Sequence, residues 1–316
     1  MTDFWQDKRV LLTGASGFVG RNLVPILKAQ GCELMTPTHQ EYDLLEQANV
    51  RRLLADTYPD LVFHLAGLVG GIWPNKLRPA EFFYQNLMMN TMMLHESYCA
   101  GVYKYVTCIG GCSYPAHALS PIPETELWNG YPQPESAPYS IAKKMNVVQS
   151  EAYRRQYGFN SLVLVPGNVY GPYDNFNLED AHVIPALVRK VYEAKMRGDR
   201  QFVVWGSGRP IRDFVYVEDV ARGIVHAAET YESSEIVNIS SGHETSIREL
   251  VELVIDLTGF SGEVIWDCTK PDGQERKGFD VTRMRTVLGY ECRTPLREGL
   301  AKTIEWFAAN YSSARI

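Results

Sequence analysis

The sequence predicts an α/β fold: a doubly wound parallel sheet followed by a smaller mixed α/β substrate domain. Three observations predict it. A glycine-rich turn, Gly14 to Gly20, stands between a short apolar run and a segment of helical spacing. Apolar runs then alternate with helical segments as far as Pro172, which is the pattern of a parallel sheet covered on both faces. After Pro172 the alternation breaks into short strands and separate helices.

The elements follow in order. Lys8 to Thr13 is apolar enough for a buried strand, and Arg21 to Lys28 has apolar residues at helical spacing. The glycines between them open a Rossmann-type dinucleotide fold. Gly14 permits the tight turn, Gly17 lets backbone approach a pyrophosphate, and Gly20 lets the helix pack close to the strand. The N–H groups from Ser16 through Phe18, Val19 and Gly20 then face the phosphates at a helix N-terminus. Leu61 to Ala66 is the next strand, and Ala66-Gly67 at its end is a place for close approach to a cofactor. A helix is predicted over Pro79 to Ala100, a strand over Tyr103 to Ile109, a helix through Tyr139 and Lys143, and a strand over Ser161 to Val165. Later segments are helices over Ala181 to Met196 and Ser246 to Thr258 and a short strand, Phe202 to Trp205. Phe214 to Val217 and Ile236 to Ile239 are read as returning to the main sheet.

A cofactor that uses a free ribose 2′-hydroxyl usually meets an acidic residue about 20 positions past the glycines. Here Met35-Thr36-Pro37-Thr38-His39 stands there with no carboxylate at the strand end. The missing acid removes a repulsion against a 2′-phosphate, which Thr36, Thr38, His39 and Arg21 are placed to meet. The reading is NADP, with NAD left open.

Composition narrows the class. The chain has 316 residues, 45% hydrophobic and 22% charged, with a net charge of −6. That length supports a full core, and the negative charge argues against a nucleic-acid or anionic membrane partner. No apolar run reaches the roughly 20 residues of a membrane span. The N-terminus has no basic segment followed by an apolar stretch, so no secretory signal is expected. Six scattered cysteines without metal-type spacing point to reduced thiols in a cytoplasm and to no metal site.

Tyr139 and Lys143 are separated by four residues, so on a helix they share one face. The lysine can stabilise the phenolate, which favours proton exchange by the tyrosine near neutral pH. A dinucleotide turn followed by this pair points to an enzyme that reduces a carbonyl or oxidises an alcohol.

These motifs, with Cys112-Ser113-Tyr114-Pro115, Asp174-Asn175-Phe176, His182 to Leu187, Val204 to Gly208, Lys270 to Gly273 and Asp280 to Arg283, make the chain similar to the extended short-chain dehydrogenase/reductase family of nucleotide-sugar enzymes. It most resembles the branch that joins 3,5-epimerisation to 4-reduction of a GDP-linked 4-keto-6-deoxy sugar. The resemblance implies that Tyr139 protonates the C4 oxygen with Lys143 in support. Cys112 and His182 are implied as the acid/base pair at C3 and C5. Carbons beside a C4 ketone are acidified through the enolate, and inversion needs a base on one face and an acid on the other. Asp43 and Leu44 are implied at the adenine side and Asn168 near the nicotinamide. Asn175, Arg189, Trp205, Arg212 and Arg276 are implied on the nucleotide sugar, among the cations Arg189, Lys190, Arg209, Arg212, Arg276 and Lys277. The implied organisation is an NAD(P)-binding domain over 1–172 with returning segments near 212–240. A mainly sugar-nucleotide-binding domain then covers 173–316, and the protein is expected to be a homodimer. One position departs: the family usually carries serine or threonine two residues before this cysteine, and Gly110 stands here. That leaves open a single-activity 4-reductase or 3,5-epimerase on another 4-keto sugar, such as a heptose. A non-catalytic dinucleotide-binding protein is the remaining alternative.

Overall fold

The computed structural model describes residues 3–270 and 272–316; Met1, Thr2 and Pro271, the last within the Lys270 to Gly273 stretch, lie outside the described residues. The chain begins with β1 (Arg9–Thr13), α1 (Phe18–Ala29), β2 (Glu33–Met35), α2 (Gln47–Thr57) and β3 (Leu61–His64). It continues through α3 (Ile72–Leu77), α4 (Pro79–Cys99), β4 (Lys104–Cys108), α5 (Ala137–Tyr157), β5 (Ser161–Pro166) and β6 (Asn168–Tyr170). Next come α6 (Val183–Arg197), β7 (Gln201–Trp205), β8 (Ile211–Tyr216), α7 (Val217–Thr230), β9 (Val237–Ile239) and β10 (Glu244–Ser246). The last elements are α8 (Ile247–Thr258), β11 (Glu263–Asp267), β12 (Arg276–Lys277), α9 (Thr282–Thr286) and α10 (Leu296–Ala309).

The main sheet is parallel throughout, in the order β2-β1-β3-β4-β5-β9. Its strands read as continuous apolar runs because both faces are covered. Alternation along each strand divides the side chains. Val10, Leu12 and Phe63 pack under α1 and α7, while Leu11, Val62 and Tyr105 pack under α2 and α4. Each such buried aliphatic side chain contributes roughly 1.5–3 kcal/mol. Strand order reverses between β1 and β3, so the loops after them diverge and open a crevice at their carboxyl ends.

Of the two segments expected to return to this sheet, only the second does so. Val237–Ile239 pairs with β5. The run around Phe214 instead forms β8, which pairs with β6, β10 and β12 in a separate small sheet. Helix α7, which follows it directly, crosses back onto α1. A second apolar cluster joins α6, α8 and α10 around Phe176, Val188, Leu250 and Phe307. Helix α8 starts sharply because Ser246 and Glu249 form a reciprocal capping box.

Candidate active site

The glycine turn is shaped by close backbone contact. Gly14 has φ +76°, and a Cβ there would lie 2.6 Å from the Ala66 amide nitrogen in the loop after β3. A Cβ on Gly20 would lie 2.2 Å from the Gly14 carbonyl oxygen. The first helix therefore begins one turn from the strand with only hydrogen atoms between. Gly17 caps α1 with extended backbone and no side-chain bond, so the first N–H groups of the helix point into open space. That space is a cleft of about 790 Å³. Gly14, Ser16, Gly17, Phe18, Val19, Gly20, Asp43, Leu44, Ala66 and Gly67 line it, which brings together all the expected cofactor contacts except Thr36, Lys143 and Asn168. Open N–H groups and a cradle that a single Cβ would fill suit a pyrophosphate. Past β2, Pro37, Thr38, His39 and Arg21 also line the cleft. Arg21 is steadied by a bond from its Nε to the Ser16 carbonyl. Thr38 is less free than expected, because its hydroxyl and amide both donate to Glu41, at 2.8 and 2.7 Å.

Tyr139 and Lys143 lie behind the Gly67 end of this cleft. Tyr139 and Lys143 sit one turn apart near the start of α5. Lys143 is buried, and its Nζ would be 3.3 Å from a Cβ at Gly67. Asn86 of α4 holds that loop from the other side: its Oδ1 accepts from the Leu68 amide and its Nδ2 donates to the Leu68 carbonyl. Burial pushes the Lys143 pKa down to about 8, against the pull of Cys108 and Cys112. Burial raises the Tyr139 phenol well above its ordinary value, with Cys112 and Cys108 adding to the effect. A developing phenolate one turn from this lysine gains a partner that burial has left unscreened. Beneath them His64 is fully buried, between Thr13 Oγ1 at 2.8 Å and Asn90 Oδ1 at 3.0 Å. Burial, and then the Lys143 charge, push its pKa down to about 3, so it is a neutral spacer.

Cys112 stands on a short turn, 111–113, fastened to α5 by the Ser140 hydroxyl donating to the Cys112 carbonyl at 3.1 Å. Gly111 must be glycine there, since a Cβ would meet Phe279 Cζ at 2.5 Å. Neither hydroxyl near Gly110 is free: Thr107 Oγ1 donates to the His64 carbonyl and Ser113 Oγ to the Ser140 carbonyl. His182 is the N-cap residue of α6 and opens onto the cleft beside Asn175 and Asp180. Its imidazole is accessible from the cleft yet ringed by protein. That desolvation holds its pKa below the ordinary value, opposed by the Asp180 carboxylate.

The expected substrate cations divide. Arg212 on β8 is half-buried, and its charge is felt by Asp272 and Lys277. Trp205 is exposed, with Lys190 and Lys270 over its ring at 4.9 and 5.5 Å. Arg189 is committed to Glu193 and the Phe176 carbonyl. Arg276 is turned outward and gripped by both carboxylate oxygens of Glu244. Its neighbour Lys277 turns inward instead and pairs in register with Arg212, and burial lowers its pKa, an effect that Cys112 opposes. Asn168 donates to the Asp213 carbonyl at 2.7 Å, bracing β6 against β8 rather than facing the cleft. Trp306, Asn310 and Arg315 line the cleft from the far end of the chain, and no local pattern marked them.

The NAD dependent epimerase/dehydratase family matches residues 10–240 of the chain. A GDP-L-fucose synthase of Arabidopsis thaliana is 41% identical over 96% of this chain and 94% of its own length. A GDP-L-fucose synthetase of Naegleria fowleri, solved bound to NADP, superposes with a TM-score of 0.92 at 30% identity, covering 100% of this chain and 97% of that one. A GDP-mannoheptose C4 reductase of Campylobacter jejuni, with NADP bound, gives 0.87 at 28% identity over 96% and 98% of the two chains.

Proposed function

The chain belongs to the NAD dependent epimerase/dehydratase family, and from that premise we propose that it is an NADP-dependent epimerase/reductase that works as a GDP-L-fucose synthase on a GDP-linked 4-keto-6-deoxy sugar. The observation that carries this reading is the junction of two chemistries at one point. The Cys112 thiol and the Tyr139 ring both border the space beside Gly110, and Lys143 adjoins the Gly67 end of a dinucleotide cleft that His182 also faces.

The glycine turn, Ala66-Gly67 and Lys143 hold NADP, which when bound supplies the hydride for C4. The C4 ketone first acidifies its neighbours. One of Cys112 and His182 removes the proton from a carbon beside it, and the other returns a proton to the opposite face, at C3 and at C5. Tyr139 then gives its proton to the C4 oxygen, and the Lys143 ammonium stabilises the phenolate left behind. Arg212 and Lys277 balance the diphosphate; a guanidinium suits it because its fork gives paired bonds. The six free thiols support a reducing cytoplasm. The exposed Phe83, Tyr84 and Val148 on α4 and α5 support pairing of two copies through those helices.

The test is deuterium incorporation from heavy water into GDP-4-keto-6-deoxy-mannose, with and without NADPH. Deuterium at C3 and C5 with oxidation of NADPH is expected. Oxidation without deuterium would favour a plain C4 reductase of the heptose kind, and neither signal would remove the substrate assignment. Cys112→Ser and His182→Asn should each abolish the exchange, whereas Tyr139→Phe should spare it and lose the reduction.

A further inference from the structure

The C4 step as read above leaves negative charge building on the sugar oxygen as the ketone is reduced. A second hydrogen-bond donor at such an oxygen lowers the barrier substantially. Of the hydroxyls on the flanking residues, Thr107 is spent on the His64 carbonyl at 2.9 Å, and Ser113 is buried and turned toward the Ser140 carbonyl at 3.5 Å. Gly110 offers no side chain, and its backbone does not require glycine: φ −86° and ψ 151° are ordinary extended values. What the glycine provides is room. A Cβ on Gly110 would stand 3.0 Å from Cys112 Sγ and 3.8 Å from Tyr139 Cε1, the ring carbon next to the one bearing the hydroxyl. The sulfur and the hydroxyl half of the Tyr139 ring therefore border the same space, the one that a side chain at residue 110 would enter.

We propose that the Cys112 thiol, seated in the space left by Gly110, donates a hydrogen bond to the C4 oxygen alongside Tyr139, so that one residue serves both the exchange at C3 and C5 and the C4 step. The inference rests on the epimerase/reductase reading. The thiol keeps its proton in the C4 step; the proton that moves is that of Tyr139, and no bond forms at sulfur. A thiol is a weak donor to a neutral acceptor, but the acceptor here is becoming an alkoxide, and charge strengthens such bonds.

The C4 step can be read alone in reverse, as oxidation of GDP-L-fucose by NADP⁺, which needs no epimerisation. Cys112→Ala should lower kcat for that oxidation by about a hundredfold while NADPH still binds, as followed by its fluorescence. Adding Gly110→Ser to Cys112→Ala puts a hydroxyl beside the position the sulfur held, and should recover about tenfold of the loss in the C4 step while leaving the exchange dead. Gly110→Ser alone should crowd the sulfur and depress deuterium exchange at C3 and C5 measured without any reduced cofactor. The proposal is overturned if Cys112→Ala oxidises GDP-L-fucose within about threefold of the wild type, or if the double variant is no faster than Cys112→Ala. A wild-type protein that oxidises no GDP-L-fucose would instead remove the parent reading, and the proposal with it.

Discussion

Replacing Gly111 by alanine should unseat the turn that carries Cys112, and the structure gives the size of the effect. The new Cβ would lie 2.5 Å from Phe279 Cζ and 2.8 Å from Cε1. Ordinary contact begins at 3.4 Å, so ring or turn must give by 3.4 − 2.5, about 0.9 Å. The ring has nowhere to go. Phe279 is 2% exposed, lies 6.1 Å from Tyr114 and is tied by a bridge to Ile122. Overpacking of this kind costs about 2 kcal/mol, which for a chain of this size lowers the melting temperature by about 3 °C. Deuterium exchange at C3 and C5 should fall as well, because Cys112 rides on the same turn. Phe279→Leu alone should cost about 1 kcal/mol for the cavity it leaves. In Gly111→Ala/Phe279→Leu the two changes relieve each other, so the double variant should be more stable than their sum by at least about 1 kcal/mol. Calorimetric melting of the four proteins tests the cycle. Strict additivity would refute the claim that Phe279 is what requires a glycine at residue 111.

Four further outcomes are expected. Gly20→Ala would drive a Cβ to 2.2 Å from the Gly14 carbonyl oxygen, so NADPH should bind at least about tenfold more weakly, read by fluorescence titration. His64 has its folded pKa depressed from 6.5 to about 3, so its contribution is intact above pH 6.5 and is lost as pH falls from there toward 3. The full loss is on the order of a few kcal/mol, and His64→Asn, which cannot charge, should flatten the acid limb of a melting-temperature profile. Arg276→Ala breaks a largely exposed ion pair with Glu244, so turnover should stay within about twofold. Lys277→Met removes the cation linked electrostatically to Cys112 and Arg212 and should cut the C3/C5 exchange by about tenfold. Equal effects of those two substitutions would contradict the inward and outward assignment of the neighbours.

Much of the scaffold was legible in local pattern. The runs that became β3, β4 and β5 are mostly apolar and buried along nearly their whole length because helices cover both faces, and that signal needs no knowledge of partners. Gly14 and Gly20 announced the dinucleotide cleft because only a missing Cβ permits their contacts, and a helix places Tyr139 and Lys143 on one face by arithmetic alone. The rest depended on what lies across space. The run around Phe214 is as apolar as the main strands, and only its pairing with β6 and β12 put it in another sheet. That pairing also decided that Lys277 stands in register with Arg212 while Arg276 is held by Glu244, a parity set by a strand only two residues long. Thr38, Thr107 and Ser113 carry hydroxyls suited to a ligand, yet each donates to a protein oxygen that folding brings within reach. Trp306 and Arg315 enter the cleft from the far end of the chain. Spacing along a sequence reports which residues share a face. Which bonds those faces have already made is a property of long-range packing, and only the folded chain contains it.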